Sequence, residues 1–95
     1  MSKKDWSDWV DYNQDTLSKT PETSGVYMMH GNMEILFIGG SKNIKKSIEE
    51  TTSKKCSSRA SRFRYKIEDD YEKISKKLIS DFKKRHEGKY PECMN

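Results

Sequence analysis

Two apolar, β-favouring runs separated by a Gly-Asn pair constrain this chain more than any other feature. They are Gly25-Val26-Tyr27-Met28-Met29-His30, then Gly31-Asn32, then Met33-Glu34-Ile35-Leu36-Phe37-Ile38-Gly39-Gly40. Glycine supplies the positive φ that a two-residue turn demands, so the pattern predicts a β-hairpin. The second run is apolar without a break from Ile35 to Ile38, which predicts a strand covered on both faces at the centre of a small sheet.

The flanking segments predict what packs on that hairpin. Upstream, Ser2 as a cap and Asp5 in the first turn favour a helix carrying Trp6, Trp9, Val10, Tyr12, Asn13 and Leu17, which Thr20-Pro21 would end. A stripe at helical spacing usually buries, so the two tryptophans are expected to seal one side of the core, with ring stacking on a nucleobase as the alternative. Downstream, Gly39-Gly40 breaks the strand and Ser41 is placed to cap a helix over residues 42–52, with Ile44 and Ile48 inward and Lys42, Lys45 and Lys46 toward water. Residues 53–61 are polar, small and basic and predict a loop. Period two over residues 62–67 predicts a third strand with Phe63, Tyr65 and Ile67 on the core face. Arg62, Arg64 and Lys66 then form a ladder of cations about 6.5–7 Å apart on the other face. Asp69 or Asp70 opens a last helix over residues 71–86, whose stripe is Tyr71, Ile74, Leu78, Ile79 and Phe82; cations fill its final turn and Gly88 stops it. The order helix, strand, strand, helix, strand, helix predicts an α+β domain, a small three-stranded antiparallel or mixed sheet flanked by helices.

With 95 residues the chain is long enough for a single domain, 1–95. Its first 19 residues form an N-terminal helix outside a core of residues 20–95. No stretch has the apolar length of a membrane helix, and the first residues lack the apolar region of a signal peptide, so a soluble, cytoplasmic protein is expected. In that setting Cys56 and Cys93 stay reduced. Neither they nor His30 and His86 show zinc spacing, and no metal site is expected from them.

The formal net charge of +4 hides an asymmetry: residues 1–40 hold three bases and six acids, whereas residues 41–95 hold sixteen bases and nine acids. Residues 51–67 contain no acid at all. Lys42, Lys45, Lys46, Lys54, Lys55, Arg59, Arg62, Arg64 and Lys66 are therefore the candidate contacts for a polyanion, unless they are a solvated face balanced by Glu68, Asp69 and Asp70.

Gly25-Val26-Tyr27, with Tyr27 ten residues ahead of Phe37-Ile38-Gly39 and Ser41-Lys42-Asn43-Ile44-Lys45-Lys46 behind, resembles the GIY-YIG nuclease superfamily. Its best-known member is the nuclease domain of a bacterial excision-repair endonuclease. The resemblance runs on through Leu78-Ile79 to Pro91 and covers residues 20–95. It implies a pair of tyrosines that activate or position water, an arginine on the following helix that contacts phosphate, and a glutamate on a later helix that binds one divalent metal. That division suits phosphodiester cleavage, which needs a nucleophile, a cation near the developing charge and a Lewis acid.

Carried over position by position, the resemblance keeps the first tyrosine as Tyr27. Phe37 replaces the second, Ser47 stands for the arginine, Thr51 for a tyrosine or histidine one turn on, and Ser75 for the glutamate. The terminal Pro-x-x-Asn pattern is blurred, since Pro91 places Met94 where the asparagine belongs. Losing one charge-stabilising group typically costs about 10²–10³ in rate, and a serine hydroxyl is a poor ligand for a hard cation. The resemblance thus implies a degenerate domain that binds DNA or RNA through backbone phosphates without cutting it, and without a cofactor. A protein-interaction module, or small subunit of an assembly, docking through the Trp6-Trp9 helix is the alternative. A magnesium- or manganese-dependent endonuclease with shifted residues, drawn from Glu49, Glu50, Glu72, Lys45 and Lys46, is the third.

Overall fold

The computed structural model describes residues 6–31, 33–54 and 56–94. Ser2, Asp5, Asn32, Lys55 and Asn95, on which some of the expectations above fall, lie outside the described residues. The hairpin forms, but its turn is not the one expected: strand β2 (Gly25–Gly31) pairs antiparallel with β3 (Glu34–Ser41), from Gly25 opposite Ser41 to Gly31 opposite Glu34, so Gly31 closes the strand and the positive φ, 64°, falls on Met33. The register shifts once, between Met29 and His30, a bulge that sets His30 opposite Ile35.

A third strand, β4 (Arg62–Ile67), adds to the free edge of β2, and a short fourth one, β1 (Val10–Asp11), adds to β4. The sheet order is β1-β4-β2-β3, all antiparallel neighbours, so there are four strands where three were expected. The central strand is β2, with Gly25 to Met29 and Gly31 buried. The run Ile35 to Ile38 lies on an edge strand instead, and only Leu36 and Ile38 within it are buried. The reason is topological: β3 and β4 flank β2 and run in the same direction, the relation a helical crossover imposes. That crossover is α2 (Ile44–Thr52). Ile44 and Ile48 are fully buried on it, and Asn43 rather than Ser41 caps it, its Oδ1 accepting from the Lys46 N–H at 3.1 Å.

The N-terminal helix does not form over the tryptophans. Residues 6–9 have no regular structure and run along β4, where the Ser7 N–H donates to the Tyr65 carbonyl at 2.8 Å and the Tyr65 N–H to Ser7 Oγ at 3.0 Å. Only α1 (Gln14–Ser18) is helical, opened by a capping box between Asn13 and Thr16. Trp6, Trp9 and Val10 fit a helical period, yet the open edge of β4 offers this segment backbone partners and cations that an isolated helix would lack.

The last helix, α3 (Tyr71–Arg85), ends just before Gly88, whose φ is 83°. Asp70 holds its N-cap position without a side-chain hydrogen bond. Adjacent glycines report the two faces of the sheet: a Cβ on Gly39 would lie 2.9 Å from Tyr27 Oη, whereas one on Gly40 would lie 3.0 Å from Ser75 Cβ on α3. The core, Leu17, Tyr27, Met29, Ile44, Ile48 and Phe63, fills the first face, under α1 and α2. Val26, Met28 and Ile38 belong to the second face, beneath α3 and the tryptophan segment. Of the inward set expected on β4, Phe63 is buried and Tyr65 half-buried, but Ile67 is 42% exposed at the strand end.

Cys56 and Cys93 are joined in a disulfide with Cα atoms 5.7 Å apart, which corrects the expectation of free thiols. Two 3-10 turns, Ser57–Arg59 and Glu92–Met94, bring them together. The bridge holds the second turn along β3, where Ile38 N–H meets Met94 Sδ at 3.4 Å. It spans 37 residues. For a loop of that size, chain-entropy estimates give about 3–4 kcal/mol. Reduction should therefore lower the urea midpoint of the chain and expose two titratable thiols. Unchanged stability on reduction would show that the turns associate without the bridge.

Candidate functional site

The positions that carry the nuclease resemblance divide between the two faces of the sheet. Tyr27, on the central strand, is 2% exposed and points beneath α2. Its Oη lies 2.8 Å from Ser47 Oγ and 2.9 Å from Thr51 Oγ1, one helical turn apart on α2. Phe37 stacks on the phenol at 5.9 Å with planes 19° apart. Gly39 permits this closeness, since any Cβ there would meet both rings within 3.0 Å. Four of the five carried-over positions, Tyr27, Phe37, Ser47 and Thr51, therefore converge, and none of them carries a formal charge.

Ser75 does not join them. It sits on α3, against Gly40 on the opposite face, and donates to the Glu72 carbonyl at 3.0 Å. A glutamate there would sit across the sheet from the phenol. Among the described residues, no three His, Cys, Asp or Glu side chains converge as a metal would require.

The cation ladder on β4 is largely engaged within the fold. Arg64 is half-buried between two indoles, with its Cζ 4.5 Å from the Trp6 ring centroid and 4.8 Å from that of Trp9. Burial pushes its guanidinium below the ordinary arginine value, and its Nε is buried with no hydrogen-bond partner. Lys66 Nζ lies 3.4 Å from the buried Glu68 carboxylate and 6.0 Å from the Trp6 ring. Arg62 faces Asp11 at 3.7 Å, both exposed, and Arg59 faces Glu92 at 3.9 Å. The tryptophans, expected on a helix that seals one side of the core and in the alternative as anchors for a partner, instead lie half-buried against Arg64 on β4. Periodicity missed this clasp; the alternation of Val10 and Tyr12, read as a strand, would have pointed to it.

The cations of the other segment differ. Lys42, Lys45 and Lys46 on and before α2, and Lys54 just after it, have no carboxylate within ion-pair distance among the described residues, although Glu49 and Glu50 lie one turn on. Lys42, Lys46 and Lys54 are exposed and Lys45 half-buried.

No family model matches this chain, and no curated protein or solved structure matches it.

The clasp predicts opposite behaviour for two variants. Arg64→Ala removes the plate between the indoles and should cost about 1–2 kcal/mol in urea unfolding. Arg64→Met keeps the aliphatic body, discards the unpartnered Nε, and should stay within about 1 kcal/mol of the parent. Equal losses in both would assign the contribution to the charge over the rings.

Proposed function

We propose that the chain is a nucleic-acid-binding domain of GIY-YIG-like design that holds DNA or RNA by its backbone phosphates and does not cleave it. The observation that carries this reading is the pairing of the buried Tyr27 hydroxyl with Ser47 and Thr51. A phosphodiesterase needs charge at that place to stabilise the transferring phosphoryl oxygens, and two serine-type hydroxyls supply only weak neutral dipoles. Of the candidate contacts, Lys42, Lys45, Lys46 and Lys54 are left over for phosphates, with exposed Arg62 able to exchange Asp11 for one. Point contacts from lysine position a backbone without reading bases, so the affinity is salt-sensitive and sequence-tolerant.

A protein partner is the second reading, favoured by α3. Ile74, Leu78, Ile79 and Phe82 are each only half-buried, and no residue of that helix is fully covered. The endonuclease with shifted residues would require Glu49, Glu50 or Glu72 to reach the phenol.

Binding of labelled duplex DNA and RNA at about 50 and about 200 mM salt tests the proposal. Four phosphate contacts predict a loss of about a hundredfold between the two conditions. The triple variant Lys42→Glu, Lys45→Glu, Lys46→Glu should abolish most of the binding with the fold intact. Absence of binding at low salt in the parent would overturn the nucleic-acid reading in favour of a protein partner. Plasmid cleavage with magnesium or manganese, abolished by Tyr27→Phe, would overturn the claim that the chemistry is lost.

A further inference from the structure

The second face of the sheet holds a groove of about 660 Å³, a size within the range of ligand pockets. Its floor is one row across three strands: Ile35, His30 and Arg62 stand side by side in register on β3, β2 and β4. Trp9 forms one side, tilted against His30 at 5.4 Å between ring centroids. Phe82 from α3 and His86 at its C-terminal cap, with Tyr90 just beyond, form the other. Phe82 and His86 stack at 3.8 Å, and the His86 ring is fixed by Nδ1 lying 2.8 Å from the Phe82 carbonyl. Five rings thus line one concavity, each of them half-buried or exposed.

Two cations line this groove. Arg62 is in its floor and Lys89 at its wall. Tyr90 also borders a neighbouring depression lined by Lys76, Lys83 and Lys84, and Lys83 Nζ sits 4.3 Å from the Tyr90 ring centroid. At the hairpin end stand Glu34 and Glu92, where the hydrogen bond and the charge of Glu92 hold the Glu34 carboxyl above its ordinary range. The groove is therefore acidic at the hairpin and adjoins, at Tyr90, a depression lined by the α3 lysines. An anionic chain can run over the lysines while flat rings enter between Trp9 and Phe82-His86. Aliphatic side chains are few here, which fits a planar ligand better than an apolar helix.

Resting on the proposed nucleic-acid reading, we infer that this groove is a base-stacking site for an unpaired stretch of a nucleic-acid strand, with the α3 lysines following its phosphates. Bases in a duplex present only their edges, so the site needs a single strand. Stacking on aromatic rings is tolerant of sequence, and removal of one such ring lowers affinity by about 5- to 100-fold. The Glu34-Glu92 end can accept from an exocyclic amino group, which places any residual preference on cytosine, adenine or guanine rather than thymine.

The test uses the full chain and three probes of equal length: single-stranded oligo-dC, the same backbone made wholly of abasic sites, and a duplex. The oligo-dC is expected to bind at least about tenfold tighter than the abasic strand and to quench tryptophan emission through Trp9. His86→Ala and Tyr90→Ala, both at exposed positions away from the core, should each weaken oligo-dC by the factor above and leave the abasic strand unaffected. An RNA strand of the same sequence shows whether the sugar matters. Equal affinity for oligo-dC and the abasic strand would overturn the groove proposal while leaving phosphate binding standing. Failure of all three probes would overturn both. Concentration-dependent self-association abolished by Tyr90→Ala would assign the groove to a second copy and also overturn the proposal.

Discussion

Everything in this fold depends on β2 being paired along both edges. Once β3 and β4 flank it, strict alternation sends Tyr27 and Met29 to one face and Val26, Met28 and His30 to the other. The first face becomes the core under α2, and the second carries α3, the tryptophan segment and the ring-lined groove. Slipping the strand by one residue would exchange these sets, placing the phenol under α3 and the histidine under α2. The buried set on the first face resists that slip, since the exchange would take Tyr27 and Met29 out of the core and put His30 into it.

On this scaffold the two faces have different chemistry. The Tyr27 cluster is buried, neutral and internally satisfied, so it has the marks of a structural centre: a phenol whose hydrogen bonds tie the central strand to α2. The groove on the other face leaves its rings half-open and places cations beside them. The Trp6-Arg64-Trp9 clasp lies on the same face as the groove. It takes one arginine out of the ladder, fixes the N-terminal segment to β4, and thereby positions Trp9 at the groove.

Much of the fold was legible in the residues. The hairpin strands, α2 with Ile44 and Ile48 inward, the basic strand and the last helix all follow from period and from the breaks between runs, although the hairpin turn puts its positive φ on Met33 and not on Gly31. What escaped is non-local. The spacing of Trp6, Trp9 and Val10 suits a helix in isolation, and only the open edge of β4 and the guanidinium of Arg64 decide for an extended segment. The cysteines are 37 residues apart in sequence, and their pairing depends on two turns that meet only in the folded chain. A disulfide persists in oxidising compartments, which sits against the cytoplasmic setting expected from the sequence. The resemblance, carried over position by position, put Ser47 and Thr51 in one site with Tyr27, as the structure has them; the separation of Ser75 was not legible that way, because it turns on which face α3 covers.

The central claim is that the phenol cluster is chemically silent while charge elsewhere holds a nucleic acid. An NMR titration of the isotope-labelled chain addresses it residue by residue, adding magnesium first and then a duplex. The account predicts that magnesium leaves the amides of Tyr27, Ser47 and Thr51 unmoved, and that the duplex shifts those of Lys42, Lys45, Lys46 and Lys54. Magnesium-dependent shifts centred on Tyr27, followed by loss of the duplex, would contradict it.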